Sequence, residues 1–412
     1  MTAAHLPGEM IELSGQPQSI GKVWGEINAR HINKDIKKCF LELARKAGID
    51  ERELLRRNAE FVKLCSRLAP HWLDEIVSTA HAANVKEDIY LAFCGSVYRN
   101  IFLGDECTSY SISQDASEDG RIFFHKTRDN ISKSQCAFII SNTVKDVNKF
   151  IAVSDSSVIT CMMMVNDKGL AGSADMMGEL SVNKPSFRGM MNTHMLRYIA
   201  EKAGDCNEAL EIVKEFISKK WYAGGAKTGT HWHFVDRFGK RLEISCNSEE
   251  LIYKYHESKV YFSLRSQAKC ARILQRAKPP INFKKFHNVS RDPSMCFNSS
   301  ISGMSVEVNR KHPGLLSYAW ICLPAKGLGF PLFIGGTKTP KPLFNGGVDS
   351  IFRKLAPNTK KWEKLESFNF LNQELLSKEI EKLIISGNNK QIPELINEWT
   401  MRCTYSNISA VK

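Results

Sequence analysis

The chain has no run approaching about 18 consecutive apolar residues, which argues against a membrane-spanning helix. Its opening, Met1-Thr2-Ala3-Ala4-His5-Leu6-Pro7, lacks a basic stretch followed by an apolar one, so no secretory leader is expected. The ending Ala410-Val411-Lys412 is neither a prenylation nor a peroxisomal signal. There are 12 cysteines but no CxxC pair. Without a leader, that points to reduced thiols in a cytosol rather than to a disulfide framework. The N-x-S/T sequons at Asn130, Asn288, Asn298 and Asn407 then read as chance matches. Neither GxxxxGK[ST] nor GxGxxG occurs, so a phosphate cradle has no support. Internal repeats and long low-complexity linkers are also missing.

What is present is ordinary globular material, 43% hydrophobic and 25% charged, which excludes a mainly disordered or collagen-like chain. A length of 412 residues suggests two or three domains, or one large α/β domain with an appendage. Basic residues outnumber acidic ones 57 to 44, for a formal charge of +13. They are dispersed among acids. The densest run, Lys278 to Lys285, lies beside Arg272 and Arg276 and carries no helix-turn-helix, zinc-finger or RNA-binding signature. This reads as a soluble, basic surface with some preference for anionic partners; neither nucleic acid nor a membrane is the expected partner.

The first hundred residues read as helices: Ile36 to Ala47 stopped by Gly48, Asp50 to Leu64, Pro70 to Ala80, and Glu87 to Phe102. The pattern changes at Cys107. Strand-like runs follow at 108–112, 122–125, 136–140, 150–153 and 158–165, with a turn at Asn166-Asp167-Lys168-Gly169. Helices are expected over 191–203 and 207–218, then strands over 231–235, 241–245, 251–255 and 260–264. A helix at 268–277, strands at 303–308, 316–323 and 331–335, and helices at 375–385 and 392–402 complete the chain. Grouped strands and helices favour sheets layered with helices over regular βαβ alternation. The charged stretch Asn358 to Lys364 is expected to be a peripheral junction.

His231-Trp232-His233 puts two imidazoles on one face of a strand, but no third ligand follows by spacing, so a surface or core pair is the favoured reading over a metal site. Cys39, Cys65, Cys94, Cys161 and Cys270 sit in apolar or helical contexts and read as inert thiols. Cys107 differs. It stands at the junction of the helical front and the first strand, in Gly104-Asp105-Glu106-Cys107-Thr108-Ser109-Tyr110. If the next strand pairs antiparallel through the Asp119-Gly120 turn, the cluster His125-Lys126-Thr127-Arg128-Asp129-Asn130 returns beside it. A thiol, a carboxylate and two cations then meet.

These residues resemble a known family. "GDECTSYS" followed by "GRIFFHKTRDN" is similar to the processing site and first hairpin of the penicillin acyltransferase-like (acyl-coenzyme A:6-aminopenicillanate acyltransferase) branch of the N-terminal-nucleophile (Ntn) hydrolases. Four further stretches fit in the same order: "IELSGQPQSIGKVWGEI", "VNDKGLAGSADMMGE", "NTHMLRYIAEKAGDCNEALEIV" and "RDPSMCFNSSISGMSVEV". The resemblance spans residues 10 to 340.

It implies an α+β fold, a four-layer αββα sandwich, with a helical precursor segment over 1–106, the core over 107–345 and a helical extension over 346–412. It implies a zymogen that cuts itself between Glu106 and Cys107. A self-cleaved heterodimer or a homo-oligomer would result, and the chemistry needs no metal or organic cofactor. Cys107 is the implied nucleophile for hydrolysis or acyl transfer at linear amide bonds, with a small-molecule amide or acyl thioester as the implied substrate. Asp129 orients the new α-amine. Lys126 or Arg128 favours the thiolate, unless either is a solvated strand end, and Thr108 and Ser109 offer hydroxyls for processing. Asp175 stands where the family has a pocket asparagine. An ionised aspartate there would repel an oxyanion, so it would bind a substrate amine or be protonated. The family's second oxyanion asparagine is missing from Tyr261-Phe262-Ser263-Leu264-Arg265, where Ser263 or Arg265 would substitute. A non-catalytic binding or scaffold protein on the same fold is the alternative.

Overall fold

The computed structural model describes residues 9–95, 107–129, 134–176, 180, 186, 188–223, 229–257, 259–262, 279–293, 295–297, 299–340 and 360–411. Two sheets form. The larger has eight strands, in the order β1 (Glu9–Gly15), β4 (Gln135–Asn142), β5 (Phe150–Asp155), β6 (Met163–Asn166), β7 (Leu170–Asp175), β8 (Thr230–Asp236), β9 (Arg241–Cys246) and β10 (Leu251–Tyr255). The smaller has six: β11 (Val260–Phe262), β2 (Cys107–Ile112), β3 (Ile122–Asp129), β12 (Ser300–Val308), β13 (Tyr318–Cys322) and β14 (Phe330–Phe333). Among these strands, β1 pairs with β4 in parallel and the remaining neighbours pair antiparallel.

Strand alternation sorts the apolar residues into three cores, one for each contact between four layers. On β4, Cys136, Phe138 and Ile140 share a core with the helices Pro17–Asp35 (α1), Glu42–Lys46 (α2), Glu51–Leu68 (α3), Pro70–Ala82 (α4) and Asn192–Lys202. Its alternate residues, Ala137 and Ile139, join Phe124, Met304, Val306 and Ile321 of the smaller sheet in the core between the sheets. On the far side, Phe123, Tyr318 and Trp320 pack against Phe283 and Phe286 and against Ile380, Ile396 and Trp399 of the C-terminal helices Lys360–Ile385 and Ile392–Val411. The arrangement is an αββα sandwich, as the resemblance implied.

The glycines of the opening stretch have a packing role. A Cβ on Gly21 would lie 2.1 Å from the Glu75 carbonyl oxygen, and one on Gly25 would lie 2.6 Å from that of Thr79. One helical turn apart, they let α1 lie directly on α4, where the Thr79 hydroxyl donates to the Gly21 carbonyl at 3.0 Å.

Several expectations are corrected. The first hundred residues are not all helix, since β1 joins the larger sheet beside β4. The strand expected at 158–165 begins only at Met163. Leu170–Asp175, whose run of small residues carries little strand signal, is a strand. The stretch from Lys360 to Lys364 is the start of a 26-residue helix rather than a junction. The helix expected at 268–277, with Cys270, lies outside the described residues.

Candidate functional site

Cys107 opens β2, and the hairpin pairs it with Arg128, Thr108 with Thr127 and Ser109 with Lys126. The turn between the strands uses left-handed backbone at Asp119 (φ 56°) and Gly120 (φ 64°), residue types that tolerate it. Asp129 therefore stands one register step past the Arg128 that pairs with Cys107. On the other side of Asp129 is Ser300 of β12. The Ser300 hydroxyl donates to Asp129 Oδ1 and accepts the Phe297 N–H at 2.8 Å.

Because side chains alternate, Cys107, Ser109 and Ser111 share the face turned toward the larger sheet with Lys126 and Arg128. The gap between the sheets thus has two ends. One is the apolar core, and the other holds charges. Lys126 Nζ lies 2.5 Å from Asp175 Oδ1 and donates to the Ala174 carbonyl at 2.6 Å. Burial works against the Lys126 charge, but Asp175 and the Cys107 sulfur hold its pKa above the ordinary lysine value. Arg128 Nη1 donates to Asp155 Oδ1 at 2.6 Å and to Gln135 Oε1 at 3.0 Å. The Gln135 amide donates in turn to Asp155 at 2.8 Å, and Ser302 donates to Gln135 at 3.2 Å.

The structure thus gathers Cys107, Ser109, Lys126, Arg128 and Asp175 at one end of the gap between the sheets, while Asp129, at the same strand end, alternates to the other face and meets Ser300. Lys126 and Arg128 are 1% and 2% exposed, which overturns the solvated-strand-end reading of both. Each cation has a carboxylate partner, Asp155 for Arg128 and Asp175 for Lys126, and the Cys107 sulfur acts on the Lys126 charge. Asp175 is an ion-pair partner of Lys126. Thr108 points to the opposite face, away from that gap. Glu106, Ser263 and Arg265 lie outside the described residues.

Sequence reasoning missed Asp155, Gln135, Ser300 and the role of His233. His233 Nδ1 lies 3.2 Å from Ser109 Oγ and its Nε2 lies 2.9 Å from Ser111 Oγ, while Ser109 donates to Asp175 Oδ2 at 3.1 Å. His231 shares that strand face but meets the Tyr261 hydroxyl at 3.2 Å and Glu243 at 3.5 Å. Both imidazoles are buried, so of the surface and core readings of the pair the structure has the core one. Burial pushes the Cys65 and Cys161 thiols up, as inert buried sulfurs require. Cys39 is only half-buried. No described helix is long and apolar enough to cross a membrane.

No family model matches the chain, and neither does any curated protein. Among solved structures, it is similar to a conjugated bile acid hydrolase variant from Clostridium perfringens, at 11% identity and TM-score 0.40 over 55% of this chain and 92% of the other. Penicillin V acylase from Agrobacterium tumefaciens gives 11% identity and TM-score 0.40 over 55% and 86%. The Caenorhabditis elegans orthologue of N-acylethanolamine-hydrolyzing acid amidase gives 11% and 0.36 over 51% and 94%. Likenesses of this degree decide nothing about function.

Proposed function

We propose that the chain is a cysteine Ntn hydrolase of linear amide bonds, or an acyltransferase using the same thioester, that activates itself by cutting between Glu106 and Cys107. The observation that carries this reading is the hairpin register. Cys107 heads an inter-sheet strand, Lys126 stands on the facing strand, and Asp129 directly follows the residue paired with Cys107, which supports its carboxylate as the partner of the nitrogen that the cut would free.

In the precursor, the Cys107 sulfur attacks the Glu106 carbonyl carbon. The C–N bond breaks as the nitrogen takes the thiol proton, leaving a thioester. Water cleaves that thioester, frees the Glu106 carboxylate and restores the thiol. The fragments are Met1–Glu106 and Cys107–Lys412.

The new α-amine has a reference pKa of about 7.7–8.0, beside a thiol whose ordinary value is about 8.5. It therefore accepts the thiol proton near neutral pH without a separate histidine. Asp129, held by Ser300, orients that amine through a charge-assisted hydrogen bond. Lys126 favours the thiolate. The thiolate attacks the substrate carbonyl, and the ammonium returns the proton to the leaving amine. Water or an acceptor amine then takes the acyl group from sulfur. Ser263 or Arg265 supplies the oxyanion donor in this reading, and loss of such a donor costs about 10²–10³ in rate.

The test offers a generic acyl thioester to the protein with and without candidate amines. Acid alone marks a hydrolase and new amide marks a transferase; in both cases Cys107→Ala abolishes the product. Turnover that survives Cys107→Ala, or none from the cut wild type across a panel of acyl donors, refutes the reading.

A further inference from the structure

Behind the nucleophile strand runs a chain of hydrogen bonds of which the reaction above uses only the last member, Lys126. Its links are Ser111, His233, Ser109, Asp175 and Lys126. All five side chains are buried, and they come from both sheets.

The direction of every link follows from one end. The Asp175 carboxylate, paired with the Lys126 ammonium, only accepts. Ser109 must therefore donate its O–H to Asp175 Oδ2, which leaves its oxygen to accept from His233 Nδ1. A neutral imidazole has one N–H, so Nε2 is then the acceptor and Ser111 donates to it. Burial keeps the ring neutral, with repulsion from His231, His256 and Arg241 adding to it, and pushes its pKa well below the ordinary histidine range. The remaining faces of the ring meet the Phe124 and Tyr261 rings, at centroid distances of 5.1 and 4.6 Å. Those contacts fix its orientation.

We propose that His233 is a positioning residue for the Cys107 site: through Ser109 it holds one Asp175 oxygen away from Lys126, so that the Lys126 ammonium keeps its pull on the sulfur. The inference rests on Cys107 being the reactive group and adds a residue on a different sheet to that reading. With the chain intact, Asp175 Oδ1 lies 2.5 Å from the ammonium while its Oδ2 takes the Ser109 hydroxyl at 3.1 Å. Without it, both oxygens turn to Lys126, neutralise it further and weaken its effect at Cys107.

The experiment measures the rate of Cys107 alkylation by iodoacetamide against pH, read by mass spectrometry of the Cys107 peptide from the full-length protein. His233→Leu is expected to raise the titration midpoint by roughly half to one pH unit. His233→Asn, whose amide N–H overlays Nδ1, is expected to restore the wild-type midpoint. A purely structural role for the ring would alter melting but not this pattern. Should His233→Leu fail to fold, Ser109→Ala breaks the chain at the next link and is expected to give the same shift. An unchanged midpoint in the folded His233→Leu protein, or in Ser109→Ala, overturns the inference. The readout needs neither self-cleavage nor a substrate. An uncut wild type with an ordinary thiol midpoint would count against the function proposed above. A lowered midpoint that these variants leave unmoved would count against His233 alone.

Discussion

Replacing Arg197 by methionine strikes the ionic joint between helices that lie on either side of position 106. Arg197 reaches Glu75 of α4 at 2.6 Å and Glu201 at 2.9 Å, donates to the Ile159 carbonyl at 3.1 Å, and stacks over Trp72 at 4.7 Å. Arg197, Glu75 and Glu201 are all buried. Without the guanidinium, Glu201 retains His71 at 3.0 Å and the Trp72 indole at 2.9 Å, whereas Glu75 retains the Asn142 amide at 3.3 Å. Removing one partner of a buried ion pair costs about 3–5 kcal/mol, because the remaining charge stays desolvated. Burial already holds the Glu75 pKa above its ordinary value even against Arg197. Without the arginine it rises further. A carboxyl whose folded pKa is raised loses stability as pH climbs from its unfolded value through the folded one. The loss from Arg197→Met is therefore expected to be larger at pH 8 than at pH 5. Urea denaturation followed by far-ultraviolet circular dichroism at both pH values measures it. A loss below about 1 kcal/mol, or one that is equal at the two pH values, would refute the reasoning.

Gly21→Ala drives a methyl into the Glu75 backbone, and its expected cost of roughly 1–3 kcal/mol is read by thermal melting. Lys126→Met is expected to raise the Cys107 alkylation midpoint and to leave Asp175 as an uncompensated buried carboxyl, with stability falling more steeply above pH 5 than in the wild type. Asp129→Asn keeps the Ser300 neighbour but not the charge. A time course of intact mass is expected to show self-cleavage slowed by about 10²-fold or more.

The hairpin was legible because local signals agreed. Asp119-Gly120 marked the turn, and counting back from it put Asp129 next to Cys107. Gly21 and Gly25 were visible as a motif, but their cause, the backbone of α4, lies some fifty residues away in sequence. What stayed hidden was paired across sheets. Lys126 with Asp175, Arg128 with Asp155, and Ser109 with His233 are each joined by the packing of two layers, for which no spacing rule exists. The Asp175 departure looked unfavourable in sequence because the lysine that balances it belongs to the other sheet. β1 was missed since a single edge strand before a long helix carries little period of its own, and β7 because Ala171, Gly172, Ser173 and Ala174 are small.

The central claim is that Cys107 becomes the first residue of a new chain. Intact mass of the purified protein under denaturing, reducing conditions tests it most directly. The account predicts two fragments, Met1–Glu106 and Cys107–Lys412, from the wild type and one uncut chain from Cys107→Ala. A single chain from the wild type, or the same two fragments from the alanine variant, would contradict it.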